Sequence, residues 1–132
     1  MSTESDDLMA EARTAAEEAY APYSNFRVGA VVVAADGTRY PGANVENAAY
    51  GSAMCAEAVA IGRAVSSGVR KIDTVAAACI DADEDCYPCG DCRQLMSEFG
   101  VEQIIVGGPT GEVREHSLEE LLPHGFKLES HQ

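Results

Sequence analysis

The sequence predicts one α/β domain over residues 1–132, with a single mixed sheet covered by helices. Three observations predict it. Helical and strand patterns alternate in the order αββαβαββα. The run VGAVVVAA at residues 28–35 is short, apolar and rich in valine, as in a strand covered on both faces. No repeat or linker interrupts the chain, whose length is near the ~150 residues typical of one domain.

Residues 3–19 read as an amphipathic helix, with Leu8, Ala12, Ala15, Ala16 and Ala19 as its apolar stripe. Pro22 and Asn25 end it in a loop. After the first strand at residues 28–35, Asp36-Gly37 signals a hairpin into a weaker strand through Tyr40. Residues 44–53 are polar and small, and read as a loop. Residues 54–66 read as a helix, stopped by Gly68. That helix is apolar nearly all round, which predicts burial by another subunit. Residues 75–80 form the third strand. The acidic run 81–85 is a solvated loop. Residues 90–99 form a short helix closed by Gly100, and residues 103–106 a fourth strand. Gly107, Gly108, Pro109 and Gly111 turn the chain toward a fifth strand around residues 112–114. Ser117 caps a last helix, with Glu120 as its expected capping-box partner.

Composition narrows the function. Hydrophobic residues make up 46% of the chain and charged residues 23%, which fits a globular fold and not a disordered one. No run of eighteen apolar residues is present, so no membrane-spanning helix is expected. The opening MSTESDDLMAEA is acidic, unlike a signal peptide. The net charge of -13 repels phosphate backbones and anionic membranes, so neither a nucleic-acid polymer nor a membrane is an expected partner. Such acidity also suits a salt-adapted protein. The odd set Cys55, Cys79, Cys86, Cys89 and Cys92 argues against a disulfide framework and for reduced thiols in a cytoplasm.

The thiol pattern carries the chemistry. Cys89 and Cys92 are three apart at the start of one expected helix, and Cys55 opens another. A catalytic zinc takes three protein ligands and leaves one position for water. Glu57 stands two residues from Cys55, where it reaches the metal's surroundings without binding it. A carboxylate there takes a proton from a water whose pKa the metal lowers to about 7. The alternative is a structural four-thiol site with Cys86 as fourth ligand, in a non-enzymatic zinc-binding module. Cys79 falls in an expected buried strand and reads as inert core. His116, His124 and His131 all lie toward the C-terminus, away from this pattern.

The stretches YAPYSNFRVGA (residues 20–30), NVENAAY (44–50), CAE (55–57), PCGDCRQ (88–94) and LLPHGF (121–126) resemble, in order and spacing, the cytidine deaminases of the small homotetrameric class with an all-cysteine zinc site. The resemblance implies a three-layer α/β/α sandwich with one five-stranded mixed sheet. It implies one Zn²⁺ per subunit on Cys55, Cys89 and Cys92, with Glu57 as the catalytic proton carrier. It implies that Phe26 stacks on the pyrimidine and that Asn44 and Glu46 bind the ribose 3′-hydroxyl. Ala56 would offer backbone groups to the base. Tyr50 and Phe126 would reach an adjoining subunit's site, as part of a homotetramer with shared active sites.

The implied reaction is hydrolytic deamination of cytidine and 2′-deoxycytidine, small nucleosides, to uridine and 2′-deoxyuridine with release of ammonia. One position departs from the family pattern: Ala58 stands where an arginine commonly follows the catalytic glutamate. Arg93 is then the expected group for balancing the third thiolate charge. The CAEA sequence at residues 55–58 also resembles blasticidin S deaminases, which makes a blasticidin S-like or modified cytosine nucleoside the alternative substrate.

Overall fold

The computed structural model describes residues 3–110 and 112–129. Gly111 and His131, named above, lie outside the described residues, as do both ends of the expected 1–132 domain. The order of elements is α1 (Glu4–Ala16), β1 (Val28–Ala34), β2 (Arg39–Ala43), α2 (Ala56–Ser66), β3 (Ile72–Cys79), α3 (Gly90–Glu98), β4 (Gln103–Gly107), β5 (Arg114–Ser117) and α4 (Leu118–Leu121). A single 3₁₀ turn, Tyr50–Ser52, interrupts the loop before α2.

The five strands form one sheet in the order β2-β1-β3-β4-β5. Only β3 and β4 run parallel, and α3 is the crossover between them. The other neighbours are antiparallel, so the sheet is mixed. Every residue of β1 is buried. Its side chains alternate: Val28, Ala30 and Val32 pack with α2 and α3, while Val31 and Val33 pack with α1. These two cores make the three layers that the resemblance implied.

Two glycines set how closely the helices sit. A Cβ on Gly29 would lie 1.9 Å from the Ala12 carbonyl oxygen of α1. One on Gly42 would lie 2.5 Å from the Ala60 nitrogen of α2. Both helices therefore rest backbone-on-backbone against the sheet, and α2 presents its N-terminus at a fixed place. At 11 residues, α2 is shorter than the ~12–15 residues that an isolated helix needs to be even marginal in water. Packing of Ala56, Ala60, Ile61 and Ala64 on the sheet holds it instead.

Several boundaries moved. Helix α1 stops at Ala16 rather than Ala19; its buried stripe is Leu8, Met9, Ala12 and Ala16, with Ala15 and Ala19 only half-buried. Thr3 caps it, with Asp6 completing a capping box. Strand β2 runs on to Ala43, and β3 starts at Ile72. Strand β5 lies at Arg114–Ser117, beyond the expected residues 112–114, because β4 pairs Gln103 with Ser117 and Val106 with Arg114. Helix α2 is not buried all round by its own chain; Gly62, Arg63 and Ser66 are exposed. The expected box at Ser117 is half made. Ser117 Oγ accepts from the Glu120 backbone N–H at 3.1 Å, but the Glu120 carboxylate turns to His116 Nδ1 at 2.8 Å.

Candidate active site

The site gathers at the N-termini of α2 and α3. Cys55 is the N-cap residue of α2, and Cys89 is the N-cap residue of α3. Both have extended backbone and no side-chain capping bond, so their thiols are free to point outward. Cys92 sits in the first turn of α3 and is buried. The three sulfur atoms all lie within 4.8 Å of one another. A tetrahedral zinc with Zn–S bonds of about 2.3 Å sets its sulfurs roughly 3.8 Å apart, so this trio fits one ion. Cys86 is not in that trio, which favours a three-thiol site over the four-thiol arrangement. Cys79 is buried in β3, as expected of core.

Electrostatics favours a cation there. Each helix N-terminus carries roughly half a positive charge, which on its own favours thiolates. Burial works against this and pushes the Cys55 and Cys92 thiols up, and the neighbouring thiols and Glu57 add to it. Three crowded sulfurs and a carboxylate are costly to ionise together unless a metal ion is present, and a bound cation reverses the balance outright. The donor set of three soft thiolates suits zinc.

Glu57 is the only buried charged residue among those described, at 4% exposure. Burial raises its pKa above the ordinary carboxylate range. No basic side chain pairs with it among the described ion pairs. It lines a cavity of about 290 Å³ together with Cys55, Cys89, Ala56, Asn44 and Glu46. The structure thus brings six of the expected site residues to one hollow, with Cys92 behind them.

Asn44 and Glu46 also have work within the chain. Asn44 Oδ1 accepts from the Val28 N–H at 2.9 Å, and Nδ2 donates to the Phe26 carbonyl at 3.0 Å. Glu46 Oε1 accepts from the Tyr23 and Ser24 N–H groups at 2.9 and 3.1 Å, and its other oxygen accepts from the Ser24 hydroxyl. That hydroxyl bond is the main cause holding the Glu46 carboxyl below its usual range. Both residues therefore fix the 20–28 segment against the site, and Asn25 bends that segment through a left-handed turn at φ 59°.

Three expected substrate contacts do not line the cavity. Phe26 is 37% exposed, Tyr50 84% and Phe126 68%. Phe126 is held by its backbone: Gln94 Oε1 accepts from its N–H at 3.0 Å and Gln94 Nε2 donates to its carbonyl at 2.7 Å. Arg93 donates from Nε to the Pro88 carbonyl and from Nη1 to the Leu121 carbonyl, both at 2.8 Å. It therefore ties α4 to the start of α3. Sequence reasoning weighed Cys86 only as a fourth ligand and missed Tyr87 as a lining residue. The one signal for Tyr87 was proximity to Cys89. A larger hollow of about 800 Å³ lies between the end of α3 and α4, but it holds no thiol and no buried carboxylate.

A parallel strand pair whose carboxyl end meets two helix N-termini, three clustered thiols and a buried carboxylate defines a zinc-dependent hydrolytic enzyme. Comparison with known proteins narrows the class. Residues 2–108 match the family model described as the cytidine and deoxycytidylate deaminase zinc-binding region. A cytidine deaminase of Sporosarcina psychrophila is 42% identical over 126 residues, covering 94% of this chain and 92% of the relative. One from Halalkalibacterium halodurans is 41% identical, covering 92% and 93%. The crystal structure of cytidine deaminase from Burkholderia pseudomallei superposes with a TM-score of 0.87 at 40% identity, covering 95% of this chain and all of that one (100%). The chain belongs to the cytidine and deoxycytidylate deaminase family.

Proposed function

We propose that the chain hydrolyses the exocyclic amine of cytidine and 2′-deoxycytidine, giving uridine, 2′-deoxyuridine and ammonia. The observation that carries this is Glu57, buried beside the three thiols and facing a cavity of about 290 Å³, a size suited to a small ligand. Curated relatives at 42% and 41% identity named cytidine deaminase support the substrate.

Cys55, Cys89 and Cys92 would hold one zinc ion. When bound, zinc supplies a water that is acidic near neutral pH. The chain's own residues manage the protons. The Glu57 carboxylate takes a proton from the attacking water and delivers it to N3 of the base as oxygen adds at C4. It then carries the second proton to the amine nitrogen, which leaves as ammonia. Burial raises the Glu57 pKa above the ordinary carboxylate range, which makes its carboxylate a stronger base for this shuttle. The Ala56 backbone offers hydrogen bonds to the base. Asn44 keeps an N–H free for the ribose, and Glu46 supplies a carboxylate.

Phe26 would stack on the pyrimidine. Tyr50 and Phe126 are too exposed to close the site within one chain, which supports a homotetramer in which they serve a neighbour's pocket. Arg93 and the two helix N-termini would offset the charge of the third thiolate, since Ala58 cannot. The five free cysteines suit a reducing cytoplasm. No described helix is long and apolar enough to cross a membrane, and the net charge of -13 argues against a nucleic-acid polymer as partner.

The test is an absorbance assay of zinc-loaded protein on cytidine, 2′-deoxycytidine, cytosine, CMP and blasticidin S. Turnover of the first two, well above the rest, is expected. Preference for blasticidin S would replace the substrate, and inactivity on all five would end the enzymatic reading.

A further inference from the structure

We infer that His116 is a positioning residue for substrate binding, acting through Tyr87 on the wall of the active-site cavity. The inference rests on reading that cavity as the nucleoside site. Between β3 and α3 the chain runs from residue 80 to 89 without helix or strand. This segment delivers Cys86, Tyr87 and Cys89 to the cavity. A segment so irregular needs outside ties to hold a side chain in one place.

Strand β5 supplies two. Arg114 Nε donates to Asp85 Oδ2 at 2.6 Å, and the Tyr87 hydroxyl lies 2.8 Å from His116 Nε2. Residues 114 and 116 share one face of the strand, so they meet alternate positions of the loop, 85 and 87. The imidazole is itself fixed from behind, because its Nδ1 lies 2.8 Å from Glu120 Oε2. A carboxylate accepts only, so Nδ1 donates to Glu120, and Nε2 pairs with the Tyr87 hydroxyl, which can donate or accept. The two rings also touch, tilted by 55° with centroids 5.3 Å apart. Glu120 is available because it does not complete the helix cap; the bond it forgoes at Ser117 is the one it makes to His116.

The hydrogen-bonded chain Glu120–His116–Tyr87 thus runs from α4, across an edge strand, to a ring that shares a cavity with Ala56, Glu57 and Asn44. Tyr87 is 42% exposed, so packing alone does not fix it. Its hydroxyl is directed at His116, away from any role in proton transfer. A held ring narrows the cavity for substrate and transition state alike, which changes KM and leaves kcat alone.

The test compares Tyr87→Phe, His116→Phe and the double variant, each zinc-loaded, by cytidine kinetics and by uridine binding in calorimetry. Tyr87→Phe removes the Tyr87–His116 bond and His116→Phe removes that bond and the one to Glu120; in each, KM and the uridine Kd should rise about threefold to tenfold with kcat within about twofold of the parent. The double variant should be no worse than either single one, because both act through one bond. Equal KM in the parent and Tyr87→Phe, which keeps the ring and is the mildest change, overturns the inference. So does a His116→Phe protein that melts earlier but binds uridine normally. A parent chain that deaminates neither nucleoside instead overturns the functional reading beneath it.

Discussion

Cys55, Cys89, Cys92 and Glu57 converge inside one chain, on two helix N-termini packed against the sheet, whereas Phe26, Tyr50 and Phe126 stay exposed and do not line the cavity beside that centre. The first group is fixed by the core. Gly42 lets α2 rest on β2, and α3 is the crossover between β3 and β4. The second group sits on loops and near the C-terminus, where its rings meet solvent. In the proposed tetramer, chemistry would be specified within the subunit, and enclosure of the substrate would be left to assembly.

The thiols give the sharpest way to break that comparison. Serine at Cys55, Cys89 or Cys92 should abolish zinc binding and activity together, and Cys86→Ser should keep both. Zinc content by elemental analysis checks this. Loss of zinc from Cys86→Ser would mean that the centre extends into the 80–89 loop and is not confined to the helix ends.

Glu57→Gln is next in size. It should keep zinc and fold while losing activity by ~10²–10⁴-fold or more, because one group serves several proton transfers. A second readout needs no turnover. Burial raises the Glu57 pKa above its unfolded value. That favours the folded metal-free protein at pH below the unfolded value, and the benefit disappears as pH rises through the folded one. At neutral pH the metal-free Glu57→Gln protein should therefore melt higher than the metal-free parent, and the gap should close in acid.

These two predictions concern residues that the sequence already marked, and the reason is physical. Ligand spacing and helix starts are local, so CAE at 55–57 and PCGDCRQ at 88–94 are legible before folding. The short, valine-rich apolar run at residues 28–35 made the first strand legible in the same way. The bounds of strand β5 were not, because four exposed or half-exposed residues carry no apolar pattern; its pairing with β4 sets them. Tyr87 was not legible either, since its partner is 29 residues away. The bonds of Asn44 and Glu46 to the 20–28 segment were equally hidden.

Phe126→Ala probes the rim. Zinc and kcat should hold, and KM should rise about tenfold or more, the scale of one aromatic–base stack. Mixing Phe126→Ala chains with Glu57→Gln chains should recover activity if the ring serves a neighbour. Failure to recover would place Phe126 over its own subunit's site and make the rim as self-contained as the centre.

Arg93 links the two regions, since it holds Pro88 at the start of α3 and Leu121 before the rim. Arg93→Ala and Arg93→Lys should both melt lower, because neither spans the two carbonyls as the planar fork does. Only Arg93→Ala, which loses the charge, should move the pH–rate profile to higher pH. A profile unmoved in both variants would assign Arg93 to the fold alone.

The smallest effect is expected at Asp81, which anchors the rim from the opposite end. Its carboxylate accepts from the Arg27 backbone N–H at 2.7 Å and from Nε and Nη2 at 2.9 and 2.8 Å. Arg27 follows Phe26, so this fork sets where the expected stacking ring begins. These bonds hold the Asp81 pKa at about 2. A depressed pKa means that the folded state favours the charged form. The stabilisation is therefore present above the unfolded value of about 3.9 and is lost as pH falls through the folded one. Asp81→Asn should lower Tm slightly at neutral pH, less so at high salt because the pair is exposed and screened. The difference from the parent should shrink below about pH 4 and vanish near pH 2. A difference that persists unchanged into acid would assign the effect to the amide's shape rather than to the charge, and the rim's anchor would then be a packing feature like those of the centre.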